Sequence, residues 1–196
     1  MHKGQGIDIF WRDNHICPLE QDYEQMVTRK CGGLFMLIVD LLRLSSPVHF
    51  SDHEIQLINQ ICNGLALLFQ IRDDYLNLVS REYAENKSFC EDLTEGKYSF
   101  VVIHAIRKYP EDDRIKNILK KRTRDIECKR EALQIFYEFG SLHYARERCS
   151  LLASRCNDLI NALNGNVFLK MILNQLMLTL NSTVEESLYD LFPLST

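Results

Sequence analysis

Glycine and proline are scarce in this chain, with 8 and 4 among 196 residues. So few turn and breaker residues exclude a collagen-like or low-complexity chain and weigh against a sheet-rich fold. Positive charge is not in excess. Lys and Arg number 23 against 27 Asp and Glu, a formal net charge of −4, which argues against a general nucleic-acid binder. Long apolar runs are also missing. The longest, Gly33 to Leu42, is broken at Asp40 and followed by Arg43, and is about half of the roughly 20 residues a membrane span needs. It reads as a buried core helix, with Asp40 pairing with Arg43 or facing water at an edge rather than serving a ligand. The seven cysteines form no CxxC pair. Read with no leader peptide, they are the reduced, mostly buried thiols of a cytoplasmic protein. Cys149 and Cys156, two helical turns apart, read as a packing seam rather than a metal site.

What is present is apolar residues, 46% of the chain, at helical spacing almost throughout. The chain is long enough for one domain with a substantial core. A short helix is expected near Met1. A second opens at Pro18 and Glu20, runs through Tyr23, Met26, Val27, Lys30, Leu34, Leu37 and Leu41, and stops at Ser45-Ser46-Pro47. Ser51-Asp52-His53-Glu54 has the form of a capping box for a third helix, which passes through Ile55, Ile61, Leu65 and Phe69 into an acidic motif. A polar loop from Ser80 to about Gly96 follows. Further helices are expected from Tyr98 to Lys108, from the acidic turn Glu111-Asp112-Asp113 to Phe139 with a break near Thr123, from a Ser141 cap to Leu163, and from Val167 to about Leu180. Gly140 reads as a helix-terminating residue. The fold class is all-α, with about seven or eight helices. Residues 1–181 read as the domain and 182–196 as a polar tail.

The chemistry lies at the end of the third helix, in Phe69-Gln70-Ile71-Arg72-Asp73-Asp74-Tyr75-Leu76-Asn77. Gln70, Asp73 and Asn77 fall on one helical face, and Asp74 sits beside it, four residues after Gln70. Such a group offers several oxygens to one point. Mg²⁺ takes one or two carboxylates and fills its octahedron with waters and phosphate oxygens. The alternative is that Asp73 and Asp74 simply pair with Arg72 or a lysine at a helix end. The following loop carries Lys87, Asp92, Glu95 and Lys97, and its lysines could neutralise phosphate or remain solvated. Lys30 sits in an apolar helix before Cys31-Gly32-Gly33, where it must snorkel or find an anion.

Taken together, these blocks resemble the trans-prenyltransferases, and among them the eukaryotic geranylgeranyl diphosphate synthases. The resemblance rests on Gly4-Gln5-Gly6-Ile7-Asp8 through Asp13, on Lys30-Cys31-Gly32-Gly33-Leu34-Phe35, on Phe69 to Tyr75, and on Glu85-Asn86-Lys87 through Glu95-Gly96-Lys97. It covers residues 1 to about 180 and matches the C-terminal part of that family. It implies the isoprenoid-synthase helical fold around a central cavity, and condensation of an allylic diphosphate such as farnesyl diphosphate with isopentenyl diphosphate. By similarity, Asp73 and Asp74 hold Mg²⁺ as the second aspartate-rich motif, with Asn77 keeping a ligand oxygen but losing a charge. Lys30, Gln70, Lys87 and Lys97 contact the allylic diphosphate or the metal shell.

Two departures stand out. Cys31 replaces a threonine of the family pattern, and a thiol is the poorer hydrogen-bond partner, a loss of about 1 kcal/mol. The larger departure is the first aspartate-rich helix, DDxxD, which is absent from the sequence. The chain therefore reads as the family's later part, expected to be inactive alone. Three readings stay open: a fragment or isoform of a geranylgeranyl diphosphate synthase, a non-catalytic partner of a full-length synthase, or a helical scaffold with a vestigial site. Association as a homo-oligomer or with a full-length synthase is compatible with the resemblance. Loss of the earlier helices is expected to expose the apolar face from Ile55 to Phe69.

Overall fold

The computed structural model describes residues 2–80 and 89–191, and side chains as far as residue 181. All regular structure among the described residues is helical, as expected. Helix α1 spans His2–Asn14, α2 Glu20–Val27, and a π-helical turn Thr28–Gly32 leads directly into α3, Gly33–Ser45. Then come α4 (Asp52–Val79), a short α5 (Glu91–Glu95), α6 (Phe100–Lys108), α7 (Arg114–Lys121), α8 (Ile126–Glu138), α9 (Ser141–Ala162) and α10 (Val167–Leu191).

Helix α4 is the pillar of the molecule. Its start is fixed by the expected capping box: the Ser51 hydroxyl accepts from the Glu54 amide at 3.3 Å, and the Glu54 carboxylate accepts from the Ser51 amide at 2.8 Å. Helix α9 packs along α4, with α10, α2, the π turn and α6 around them. At Gly64 an added Cβ would come within 2.6 Å of Cys156 Sγ, so a glycine sets the closest approach of α4 to α9. Cys149 and Cys156 are fully buried there, the packing seam read from their spacing.

The π turn keeps Glu20 to Ser45 a single helical ridge while inserting an extra residue into one turn. Helix α1 lies against it so closely that a Cβ on Gly4 would sit 2.5 Å from the Lys30 backbone nitrogen. Downstream, the break near Thr123 is made by Arg122 at φ 45°, after which Asp125 accepts a capping bond from the Glu127 amide at 3.0 Å.

Several expectations are corrected. Gly33 to Leu42 is not a buried core helix: α3 buries none of its residues, and Leu37, Leu41 and Leu44 are exposed by 51, 56 and 84%. Its main neighbours are the π turn and α4, which leave its outer face uncovered among the described residues. Conversely, α4 is not stripped. Leu57, Ile61, Leu65 and Leu68 are buried, and of the large apolar residues of that segment Phe69 is the exposed one. Asp40 does pair with Arg43, at 3.2 Å. Ser141 is not a cap, because Gly140 at φ 67° precedes the helix and the Ser141 hydroxyl is turned to His104 Nδ1 at 2.8 Å. Helix α7 starts after the acidic turn, whose Asp112 carboxylate accepts from the Arg114 side chain and amide. Helix α10 runs past Leu180 to Leu191. No helix among the described residues is long and apolar enough to cross a membrane.

Candidate functional site

The C-terminal third of α4 builds the site from the inside outward. Asp74 is fully buried, and a buried carboxylate persists only when paired and hydrogen-bonded. Its Oδ2 accepts from the Tyr23 hydroxyl at 2.6 Å and from the Phe100 amide at 2.8 Å. Its Oδ1 accepts from Gln70 Nε2 at 2.8 Å and from Lys97 Nζ at 2.8 Å. Four donors fill the four acceptor positions a carboxylate offers. The Phe100 amide belongs to the first turn of α6, where a negative charge is favoured by the helix dipole.

The network extends in two directions. Toward the π turn, the Cys31 thiol donates to Gln70 Oε1 at 3.3 Å. Burial pushes that thiol above its usual pKa, so it stays protonated as a donor. Beside it, Lys30 Nζ meets Asp8 Oδ2 of α1 at 2.7 Å, the anion that a lysine in this helix required. Toward α5, Lys97 is shared by Asp74 and by Asp92 Oδ2 at 3.0 Å. Burial acts to lower the Lys97 pKa, but the Asp74 and Asp92 carboxylates outweigh it and hold the ammonium well above the usual lysine range. Burial drives Asp92 upward instead, opposed by Lys97 and reinforced by Asp74. Asn77 Oδ1 accepts from the Asp92 amide at 3.1 Å, fixing the start of α5 to α4.

The structure thus brings together Lys30, Cys31, Gln70, Asp74, Asn77 and Lys97. Asp73 is half-buried at the edge of the cluster, close enough for its charge to act on both Cys31 and Asp92. Lys87 lies outside the described residues. The face that turns inward is Gln70, Asp74 and Asn77, with Asp73 beside it; the spacing argument had placed Asp73 on that face and Asp74 beside it. No group of three or more His, Cys, Asp or Glu side chains among the described residues surrounds one point as a metal cage. The donor set would fit a cation held through a single carboxylate, Asp73, with water and phosphate oxygens completing its shell, a common arrangement for Mg²⁺. Asp74 has no acceptor position left for a metal, and the Asn77 oxygen already binds a backbone amide.

Two side chains that bond to the cluster are not singled out by the motif. Asp8 was part of a recognised block but had no assigned partner. Tyr23 was counted as one more residue of an apolar stripe. A signal existed, since a buried tyrosine needs a partner for its hydroxyl, but nothing local identified Asp74, 51 residues away.

Comparison with known proteins bears on the family. The polyprenyl synthetase family model matches residues 1–136. A terpene synthase of Matsumurasca onukii is 49% identical over 177 residues, which cover 90% of this chain and 56% of the relative. The geranylgeranyl pyrophosphate synthase of Dictyostelium discoideum is 44% identical over 176 residues, again 90% and 56%. Geranylgeranyl pyrophosphate synthase dpmpD of Macrophomina phaseolina is 44% identical over 165 residues, 84% of this chain and 49% of the relative. The chain spans about half the length of these curated relatives. A family model matching well over half of the residues, and identities above 40% along most of the chain, carry one conclusion: this chain belongs to the polyprenyl synthetase family.

Proposed function

We propose that this chain forms one Mg²⁺–diphosphate wall of a cytoplasmic prenyl diphosphate synthase of the geranylgeranyl type, which condenses farnesyl diphosphate with isopentenyl diphosphate. The observation that carries this reading is the cluster of Gln70, Asp73, Asp74 and Lys97 at one end of α4, with Lys30 on the facing ridge. Asp73 would hold the cation. When bound, Mg²⁺ would neutralise the diphosphate and ease its departure as a leaving group. Lys30 and Lys97 each keep ammonium protons beyond those given to Asp8, Asp74 and Asp92, and would donate them to phosphate oxygens, together with Lys87. Gln70 would add its second amide proton, and Cys31 would act through Gln70 rather than on phosphate directly.

We further propose that these 196 residues alone do not turn over. Positioned electrostatic groups dominate this kind of catalysis, and loss of one donor can cost about 10²–10³ in rate; the sequence contains no DDxxD to supply a facing set. Isothermal titration of the chain with inorganic pyrophosphate, with and without Mg²⁺, tests the wall. Mg²⁺-dependent binding is expected, and its absence would sink the reading. An assay with farnesyl and isopentenyl diphosphates tests the second statement, which product above background would overturn.

The uncovered apolar surface of α3 favours a second reading, in which the chain is a non-catalytic partner of a full-length synthase. Co-purification of the two chains, lost when α3 carries charged substitutions, would support it.

A further inference from the structure

We propose that Tyr23 is a positioning residue that fixes the helix turn carrying Asp73 against the opposite ridge of this site, an inference that rests on the Mg²⁺–diphosphate reading above. Three of the four bonds to Asp74 come from α4 itself or from the segments that follow it. Gln70 is one turn back on α4, and Lys97 and Phe100 belong to the segment that follows α5. Tyr23 supplies the fourth from α2, on the opposite ridge.

That ridge is continuous through the π turn to Lys30, seven residues beyond Tyr23. Two side-chain bonds therefore join the helix that carries Asp73 to the ridge that carries Lys30, the Cys31–Gln70 contact at 3.3 Å and this shorter one. At 2.6 Å the Tyr23 bond has the length of a charge-assisted O–H···O⁻ bond. The ring itself is fully buried and lies tilted on Phe100, with centroids 5.5 Å apart. It has no room to turn its hydroxyl to water. The phenol stays protonated, since burial and the neighbouring Asp74 charge both hold its pKa well above the usual value.

The consequence concerns the cation rather than the phosphate. Asp74 has no acceptor position left for a metal, so its four donors act on Asp73 by fixing the helix turn that both residues share. Loss of the Tyr23 bond would free that turn, and the carboxylate would meet the cation in a broader spread of positions. The lysine contacts to pyrophosphate would change much less, because Lys30 keeps Asp8, Lys97 keeps Asp92, and the Cys31–Gln70 bond still ties the Lys30 ridge to α4.

The test is isothermal titration of the whole 196-residue chain with inorganic pyrophosphate across a Mg²⁺ series. Tyr23→Phe is expected to raise the Mg²⁺ concentration needed for half-maximal binding by about 10–100-fold, the usual cost of removing a group that orients a metal ligand. Binding of pyrophosphate in EDTA should stay unchanged, which a general loosening of the fold would not allow. Tyr23→4-aminophenylalanine, which keeps a donor at the tip of the ring, should return the Mg²⁺ requirement toward the wild-type value. Ile118→Val, in the buried face of α7, provides a control for lost packing and should leave it in place. An unchanged Mg²⁺ requirement in Tyr23→Phe, an equal change in Ile118→Val, or no recovery with the amino analogue overturns the proposal while leaving the proposed function intact. Failure of the wild type to bind pyrophosphate with Mg²⁺ overturns both.

Discussion

Replacing Asp73 and Asp74 by asparagine, one at a time, separates two roles that the motif merges. Asp74→Asn keeps the shape of the side chain but turns an amide NH₂ toward donors on one side. Either Tyr23 and the Phe100 amide, or Gln70 and Lys97, then face a donor where they now meet an acceptor. Lys97, with a side chain 13% exposed, is left with Asp92 alone. Removing one partner of a buried ion pair costs about 3–5 kcal/mol. In a chain of this size each kcal/mol moves the melting temperature by about 2–4 °C, so a fall of roughly 6–20 °C is expected. Asp73→Asn acts at a half-buried position and should cost no more than about 1 kcal/mol, yet it should abolish Mg²⁺-dependent binding of pyrophosphate. Thermal melts followed by circular dichroism, paired with calorimetric titration, read both effects. If Asp74→Asn melts with the wild type, or if Asp73→Asn binds as the wild type does, the division into anchor and metal-facing carboxylate is refuted.

Other perturbations probe the frame around the site. Gly4→Ala should destabilise: the helix propensity gained is at most about 1 kcal/mol, whereas a Cβ 2.5 Å from the Lys30 nitrogen demands a backbone shift costing about 1–3 kcal/mol. A urea midpoint above wild type would contradict it. His104 is stacked on Tyr144, bonded to Ser141, and held below its usual pKa by burial and by Lys108. Between its folded pKa and about 6.5 the unfolded chain binds the extra proton, so stability is full above that range and falls as pH drops through it, by at most about 1.4 kcal/mol per unit. His104→Gln should flatten that part of the pH profile, and an unaltered slope would exclude His104 as its source. The apolar surface of α3 should bind ANS, and Leu37→Glu with Leu41→Glu should remove most of the signal without lowering the melting temperature, because neither residue is buried. A wild-type chain that does not bind ANS would show that this face is covered in solution.

Element type was largely legible because it depends on local chemistry. The Ser51–Glu54 box, the Arg122–Thr123 break and the turn at Gly140 each announce themselves within four residues. The fate of an apolar helix was not legible. Gly33 to Leu42 is the more apolar stretch, since Ile55 to Phe69 also carries Gln56, Asn59, Gln60 and Asn63, yet α4 is enclosed by α9 and α10 while α3 is bare on its outer side. Periodicity reports that a face is apolar, and only the neighbours decide whether it is buried. The same limit applies to Ser141, whose residue type favours a cap but whose hydroxyl is claimed by His104 from another helix.

The acidic motif shows that limit at the scale of two adjacent residues. Successive side chains on an α-helix point about 100° apart, so Asp73 and Asp74 cannot look the same way, and a paired-aspartate motif must send one inward. Spacing alone leaves the choice open, since Gln70 is three residues from one and four from the other. The choice is made by donors far away in sequence: Tyr23 on α2, Lys97 after α5, and the free amide at the start of α6 converge where Asp74 points. Those donors also explain why the inward residue has to be acidic. A single ammonium between two carboxylates leaves one negative charge uncompensated, and burial relieves it by driving Asp92 upward while Asp74 keeps a full set of donors. The inward aspartate is thus stabilised by four donors of the fold, whereas the outward one, half-buried at the edge of the cluster, is the carboxylate that the proposed cation would meet. A charge-neutral substitution should therefore register in stability at Asp74 and in metal dependence at Asp73, and a variant that lost both at either position would mean that the two carboxylates act as one unit.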